Sequence, residues 1–244
     1  MLMVRADDPL AVTVVAAIHS GDVEGLRLVL AEHPGLGSAR LRDADCADER
    51  SWLHVVTDWP GHFLNGAVTV GVLVEAGADP NARFSGAHTE TPLHWAASSD
   101  DVEVLDALVD AGADIEASGA VIAGGTPLSD AVAFGQWKAA RRLVERGALA
   151  PLREAAALGL RERVEQCLTA DPPPVAEDLT QALWYACHGG QLAVVERLVE
   201  LGGDLNWVST WDQLTPLDAA TREGHDQVAT WLRARGARPA SELT

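Results

Sequence analysis

Cysteine, tyrosine, phenylalanine and basic charge are all in short supply here: three Cys, one Tyr, three Phe, and 18 Lys plus Arg against 36 Asp plus Glu in 244 residues. Cys46, Cys167 and Cys187 are far apart and odd in number, with no Cys-x-x-Cys and no Cys/His ligand spacing. That pattern excludes a disulfide framework, offers no metal site, and reads as a cytoplasmic protein. The deficit of base leaves a net charge of −18. Such a field repels nucleic acid and anionic membrane and favours cationic or neutral partners; a host-wide habit of acidic proteins would produce it too. Long apolar runs are missing. The first eight residues carry acid where a signal peptide carries base, and the apolar stretch after them is broken by His19 and Asp22, so no leader or membrane span is expected. Also missing are a G-x-S-x-G elbow, a His-Glu-x-x-His pair and a P-loop, so no motif fixes a catalytic geometry and no cofactor is implied.

What is present is a 48% apolar composition with eight tryptophans, and a unit that repeats. Thr91-Pro92-Leu93-His94-Trp95-Ala96-Ala97 leads through Val102–Val109 to Ala111-Gly112-Ala113-Asp114; further units open at Thr126-Pro127-Leu128 and Thr215-Pro216-Leu217. Leu93 to Leu128 is 35 residues and Leu183 to Leu217 is 34. With Val14, Leu53, Leu93, Leu128, Leu152, Leu183 and Leu217 as anchors, repeats start near 12, 51, 91, 126, 150, 181 and 215. Thr before Pro suits a helix start, because the hydroxyl caps free N–H groups and Pro lacks one in the first turn. Paired alanines allow close helix approach, and Val102, Leu105, Leu108 and Val109 recur at helical spacing as an apolar stripe. One such unit cannot bury its stripe alone, whereas stacked neighbours can.

The period breaks in three places. Leu53 to Leu93 is 40 residues, which puts about five extra residues around Asp58–Gly66 between the two helices of repeat 2. Leu128 to Leu152 is only 24, so repeat 4 lacks its closing loop, and Leu152 to Leu183 is 31 with Asp171-Pro172-Pro173-Pro174 as a stiff connector. Residues 34–50, rich in Gly, Ala, Asp and Arg, read as a surface loop.

The opening motif and the repeat ends Glu75–Asn81, Asp110–Asp114 and Leu201–Asn206 resemble the ankyrin repeat. The resemblance implies an all-α solenoid of helix-turn-helix units with finger loops, one domain over 1–244, irregular in repeats 2, 4 and 5. It also implies that first helices and fingers line a concave binding face. Carried onto this sequence, that face holds Asp58, Trp59, Trp95, Asp130, Phe134, Glu154, Tyr185 and His188, with Phe84, His88, Glu90, Trp207 and Trp211 on the fingers. The implied function is a non-catalytic protein-interaction module with an acidic, aromatic groove for a basic or apolar segment of a partner. A small cationic or aromatic ligand would suit the same groove. The alternative is a small-molecule site or enzyme using Asp58, Asp130 and His188 as acid–base groups. His54 and His94, at the motif's histidine position, are expected to bond neighbouring loops. Trp52, Trp137 and Trp231 are expected in helix packing, and Gly-rich Val121–Thr126 as a finger turn.

Overall fold

A computed structural model describes residues 2–43, 45–121 and 124–243. Ile122 and Ala123 of the Gly-rich finger lie outside those residues. The chain forms two compact units, Met1–Ala148 and Leu149–Thr244.

The first unit contains α1 (Pro9–Ser20), α2 (Val23–Glu32), α3 (Trp52–Thr57), α4 (Gly66–Glu75), α5 (Pro92–Ser98), α6 (Val102–Asp110), α7 (Pro127–Ala133) and α8 (Trp137–Glu145). They are four antiparallel pairs. First helices α1, α3, α5 and α7 stack on one another in order, and second helices α2, α4, α6 and α8 form the parallel layer. The Leu53, Leu93 and Leu128 anchors are fully buried between the layers, each contributing roughly 1.5–3 kcal/mol from removal of its side chain from water. In α6 the buried stripe is Val104, Leu105 and Leu108. Val102 and Val109, expected in that stripe, are only half-buried, because at about 100° per residue they fall at the edge of the arc that Val104, Leu105 and Leu108 define.

Residues 34–50 are not the surface loop expected from their composition. Leu36–Ser38 make one tight turn, and β2 (Arg40–Arg42) pairs in parallel with β1 (Met3–Arg5) and antiparallel with β3 (Glu49–Ser51). Val4 and Leu41 face each other in that register and both are buried. The Trp52 indole N–H donates to the Leu36 carbonyl at 2.8 Å, anchoring the turn to α3. A strand of three residues has too few positions for its alternation to stand out in sequence.

The insertion at 58–66 is fixed at both ends. The His62 N–H donates to Asp101 Oδ2 at 2.7 Å and its ring nitrogen Nε2 lies 2.9 Å from the Ser99 carbonyl. Asn65 Nδ2 donates to the Gly21 carbonyl at 2.9 Å, and Phe63 stacks on His19 with centroids 4.4 Å apart. The extra residues thus bond turns of the repeats before and after their own.

The second unit contains α9 (Leu152–Leu158), α10 (Arg161–Leu168), α11 (Ala176–His188), α12 (Leu192–Glu200), α13 (Pro216–Arg222) and α14 (Asp226–Ala234). Helix α11 packs between α9 and α13, and α12 packs on α14. Residues 146–151 are all that joins α8 to α9, in keeping with the missing finger. Helix α11 begins at Ala176, earlier than the repeat start near 181, because Asp178 accepts the Val175 N–H at 3.0 Å and starts the helix there. Trp52 is fully buried, while Trp137 and Trp231 are half-buried; the Arg235 guanidinium covers the Trp231 ring at 3.5 Å. Among the described residues no helix is long and apolar enough to cross a membrane.

Candidate functional site

The capping histidines come first, since they place the rings around them. His54 Nδ1 lies 2.9 Å from Ser51 Oγ and accepts the Ser51 N–H at 3.2 Å, while its Nε2–H donates to the Glu90 carbonyl, 3.1 Å away at the end of the finger that follows. His94 repeats the arrangement with Thr91 and the Gly125 carbonyl. One nitrogen accepting and the other donating requires a neutral ring. Burial lowers the pKa of His54 to about 3 and lowers that of His94 as well. These two rings are structural ties.

Glu90, at the end of the finger between α4 and α5, is the centre of the first cluster. Its buried carboxylate accepts the Trp95 indole N–H at 2.7 Å on Oε2 and the Val121 N–H at 2.8 Å on Oε1. Its carbonyl accepts the Phe84 N–H at 2.8 Å, closing the finger into a hairpin. Phe84 and His88 stack with centroids 4.4 Å apart, Phe84 lies 5.6 Å from Trp95, and His54 meets Trp95 edge-on at 4.9 Å. His88 Nδ1 is 3.1 Å from Glu90 Oε2, but the approach is too oblique for a hydrogen bond. A buried carboxylate thus fixes the orientation of a half-buried indole, and the finger aromatics close around it.

Trp59 and Phe134 stand apart from that cluster, 84% and 53% exposed. Asp58, beside Trp59, pairs with Arg50 Nη1 at 3.0 Å, and Arg50 reaches Asp43 at 3.5 Å. Asp130 is the opposite of the solvated acid its helix position suggests: it is 1% exposed. As acid–base candidates, then, Asp58 is engaged by a guanidinium and Asp130 lies beneath the surface, out of direct reach of a substrate in this conformation. His188 is buried too, in the second unit.

The second unit carries a denser cluster. Trp184 meets Tyr185 edge-on at 5.3 Å, stacks near His188 at 5.4 Å and meets Trp211 edge-on at 5.2 Å; Trp211 also lies 5.9 Å from Tyr185 and 5.3 Å from Trp207. Trp184 is buried and donates its indole N–H to the Leu214 carbonyl at 3.2 Å, whereas Trp211 is 45% exposed. The Arg222 guanidinium sits 5.8 Å over the Trp184 ring. It is held by Asp212 at 2.9 Å and Glu223 at 2.8 Å, and its Nη2 is 3.5 Å from His188 Nδ1. Burial raises the pKa of the Tyr185 hydroxyl, and the Glu154 carboxylate adds to the rise.

Of the residues expected on the binding face, Phe84, His88 and Trp95 come together in the first unit, and Tyr185, His188, Trp207 and Trp211 in the second, with Glu154 close enough to act on Tyr185. Trp59, Phe134 and Asp58 lie outside the ring contacts, and Asp130 is internal. Sequence reasoning left out Trp184 and Asp212 as members of one site. Trp184 precedes Tyr185 on a helix and faces inward, and nothing in the repeat pattern marks the finger acid as its neighbour across the turn. Asp43, Cys46 and Asp48 bring ligand-type atoms within 4.8 Å of one another on an exposed turn, but their spacing alone does not make a metal centre. Burial pushes the Cys187 thiol well up, which leaves it inert as a nucleophile.

Residues 64–151 and 152–242 each match the family model described as Ankyrin repeats (3 copies). An ankyrin repeat and KH domain-containing protein of Caenorhabditis briggsae is 33% identical over 177 residues, 69% of this chain and 6% of that protein. The Caenorhabditis elegans ankyrin repeat and KH domain-containing protein mask-1 is 30% identical over 177 residues, 69% and 7% respectively. The chain therefore spans only a small fraction of the length of these curated relatives. The crystal structure of the human ASB11 ankyrin repeat domain has 28% identity, covers 78% of this chain and 85% of its own, and has a TM-score of 0.45.

Proposed function

Because this chain belongs to the ankyrin-repeat family, whose repeats generally serve protein–protein interaction, we propose that it is a non-catalytic recognition module for a protein partner with a basic or apolar segment. The partner is held by the aromatic and acidic side chains of the first helices and fingers. The observation that carries this reading is the exposure of large rings: Trp59 at 84% and Phe134 at 53%, outside the packed clusters, and Trp211 at 45% on the rim of one. Asp58 adjoins Trp59 and Asp212 adjoins Trp211 in a chain of net charge −18, and an indole with an available face is what interface hot spots are made from. The free, exposed Cys46 thiol suits a reducing compartment, which keeps the cytoplasm as the proposed location.

The test is capture of the partner by the full chain from its own cells, followed by affinity measurements on Trp59→Ala and Phe134→Ala. Both rings lie outside the packed clusters, so melting temperatures stay near wild type. Each loss is expected to weaken the complex by about tenfold or more, the range of an interface anchor. Unchanged affinity in both variants, or a complex that forms only through other surfaces, overturns the reading.

A further inference from the structure

We infer that the cluster on the second unit is a seat for an arginine side chain of the partner, and that Arg222 occupies this seat in the free protein. The inference rests on the interaction-module reading above and adds the chemistry of the ligand. The seat has two walls. One is the face of Trp184, an indole otherwise buried and fixed by its N–H bond to the Leu214 carbonyl. The other is the carboxylate pair Asp212 and Glu223, 2.9 Å and 2.8 Å from the Arg222 guanidinium.

Asp212 is held in place independently of Arg222. Its Oδ1 accepts from the Ser209 hydroxyl and from the Leu214 N–H at 3.2 Å, which leaves Oδ2 facing the seat. An aromatic face beside one carboxylate anchored at two points and a second acid matches a planar, forked cation, which stacks and donates several N–H bonds at once. An ammonium is a strongly hydrated point charge and gains less from such a seat.

Arg222 is itself a poor candidate for a permanent structural tie. Its side chain is 43% exposed, more than the 24% and 29% of its partners Asp212 and Glu223, and it enters from the last turn of α13. Exchange with an incoming arginine replaces one guanidinium by another, so neither the indole face nor the carboxylates lose their partner. The incoming residue gains more than Arg222 does because the half-exposed Trp211 ring, edge-on to Trp184 at 5.2 Å, and Trp207, 5.3 Å beyond it, extend the apolar surface outward for its neighbours. The −18 charge of the chain draws a basic segment in.

Removal of the internal occupant then raises affinity, because the apparent dissociation constant scales inversely with the fraction of molecules whose seat is open. The experiment is calorimetric titration of the full chain with a capped Gly-Arg-Gly-Arg-Gly peptide, its lysine counterpart and its citrulline counterpart. It is run on wild type, Arg222→Ala and Arg222→Ala combined with Trp211→Ala. Arg222→Ala is expected to bind the arginine peptide about tenfold tighter than wild type. The lysine peptide is expected to bind more weakly and the citrulline peptide not at all, and the added Trp211→Ala to reverse the gain. Arg222→Lys, which keeps the charge but not the fork, separates loss of the occupant from loss of fold and should fall between wild type and alanine. A folded Arg222→Ala protein, by circular dichroism, with no gain for arginine overturns the proposal, as does equal binding of arginine and lysine. If the captured partner still binds normally to Arg222→Ala/Trp211→Ala while Trp59→Ala weakens it, the arginine seat falls and the interaction-module reading stands. If no partner engages either unit's rings, the module reading falls with it.

Discussion

His54 and Glu90 show what a single side chain does in this fold. His54 is neutral in the folded state, with its pKa lowered to about 3 by burial against an ordinary value of 6.5. The unfolded chain therefore takes up a proton between those values that the folded chain refuses. Stability from this group is complete above about pH 6.5 and is lost as pH falls towards 3, with a slope of up to about 1.4 kcal/mol per pH unit. Urea-unfolding midpoints measured from pH 7 to pH 4 should fall in wild type and fall less steeply in His54→Gln. Parallel profiles would show that the ring is charged in the fold. Glu90 makes a second prediction. Its two oxygens accept from Trp95 and Val121, so Glu90→Gln sets an amide donor against one of these donors. A loss of about 1–3 kcal/mol is expected, the cost of a buried polar group left facing the wrong partner. A change in tryptophan emission should accompany it as the Trp95 indole is released. Emission and urea midpoint that both match wild type would mean the carboxylate does not hold that ring.

Helix pairs and their turns are the scale at which the sequence was most readable. The Thr-Pro-Leu openings mark the helix starts at 92, 127 and 216, because a Thr cap, a Pro in the first turn and a buried anchor leucine are each a local requirement. The three-stranded sheet of Met3–Arg5, Arg40–Arg42 and Glu49–Ser51 was not legible, since each strand is three residues long and is fixed by its neighbours and by the Trp52 contact to Leu36. The candidate site was legible in part. The finger rings announce themselves by type, but the burial of Asp130 and the seating of Arg222 depend on which neighbour closes over them, and a periodic register does not contain that information. Element packing also gives a sharp test. A Cβ on Gly189 would fall on the backbone carbonyl of Ala157, at the packing of α9 against α11, and no rotamer change can relieve a backbone contact. Gly189→Ala should cost about 2–3 kcal/mol. Hydrogen exchange should rise in residues 149–200 before it rises elsewhere, as expected where each repeat depends on its nearest neighbours. Uniform acceleration along the chain would show that the stress is not local.

At the scale of the whole molecule, charge is the dominant property. With 36 acidic against 18 basic side chains, folding concentrates like charge, and added salt relieves it as the screening length shrinks from about 30 Å at 0.01 M to about 8 Å at 0.15 M. The urea midpoint should therefore rise between those salt concentrations, while the association rate of a basic partner falls over the same range. A midpoint that drops instead would mean that surface pairs such as Arg142–Asp106 and Arg197–Glu165 outweigh the excess negative charge. The placement of the tryptophans has a further use. Trp52 is sealed in the first unit and Trp59, seven positions on, stands in water; in the second unit Trp184 is sealed and Trp211 half open. Each half thus holds four indoles that span the range from sealed, Trp52 and Trp184, to the most open of its set, Trp59 and Trp211, and dissolved acrylamide reaches the open ones first. A ligand that settles on either half should shield that half's outer indole from the quencher, and Trp59→Phe and Trp211→Phe variants assign the lost quenching, so a spectrometer can tell where a partner has landed before any complex is crystallised.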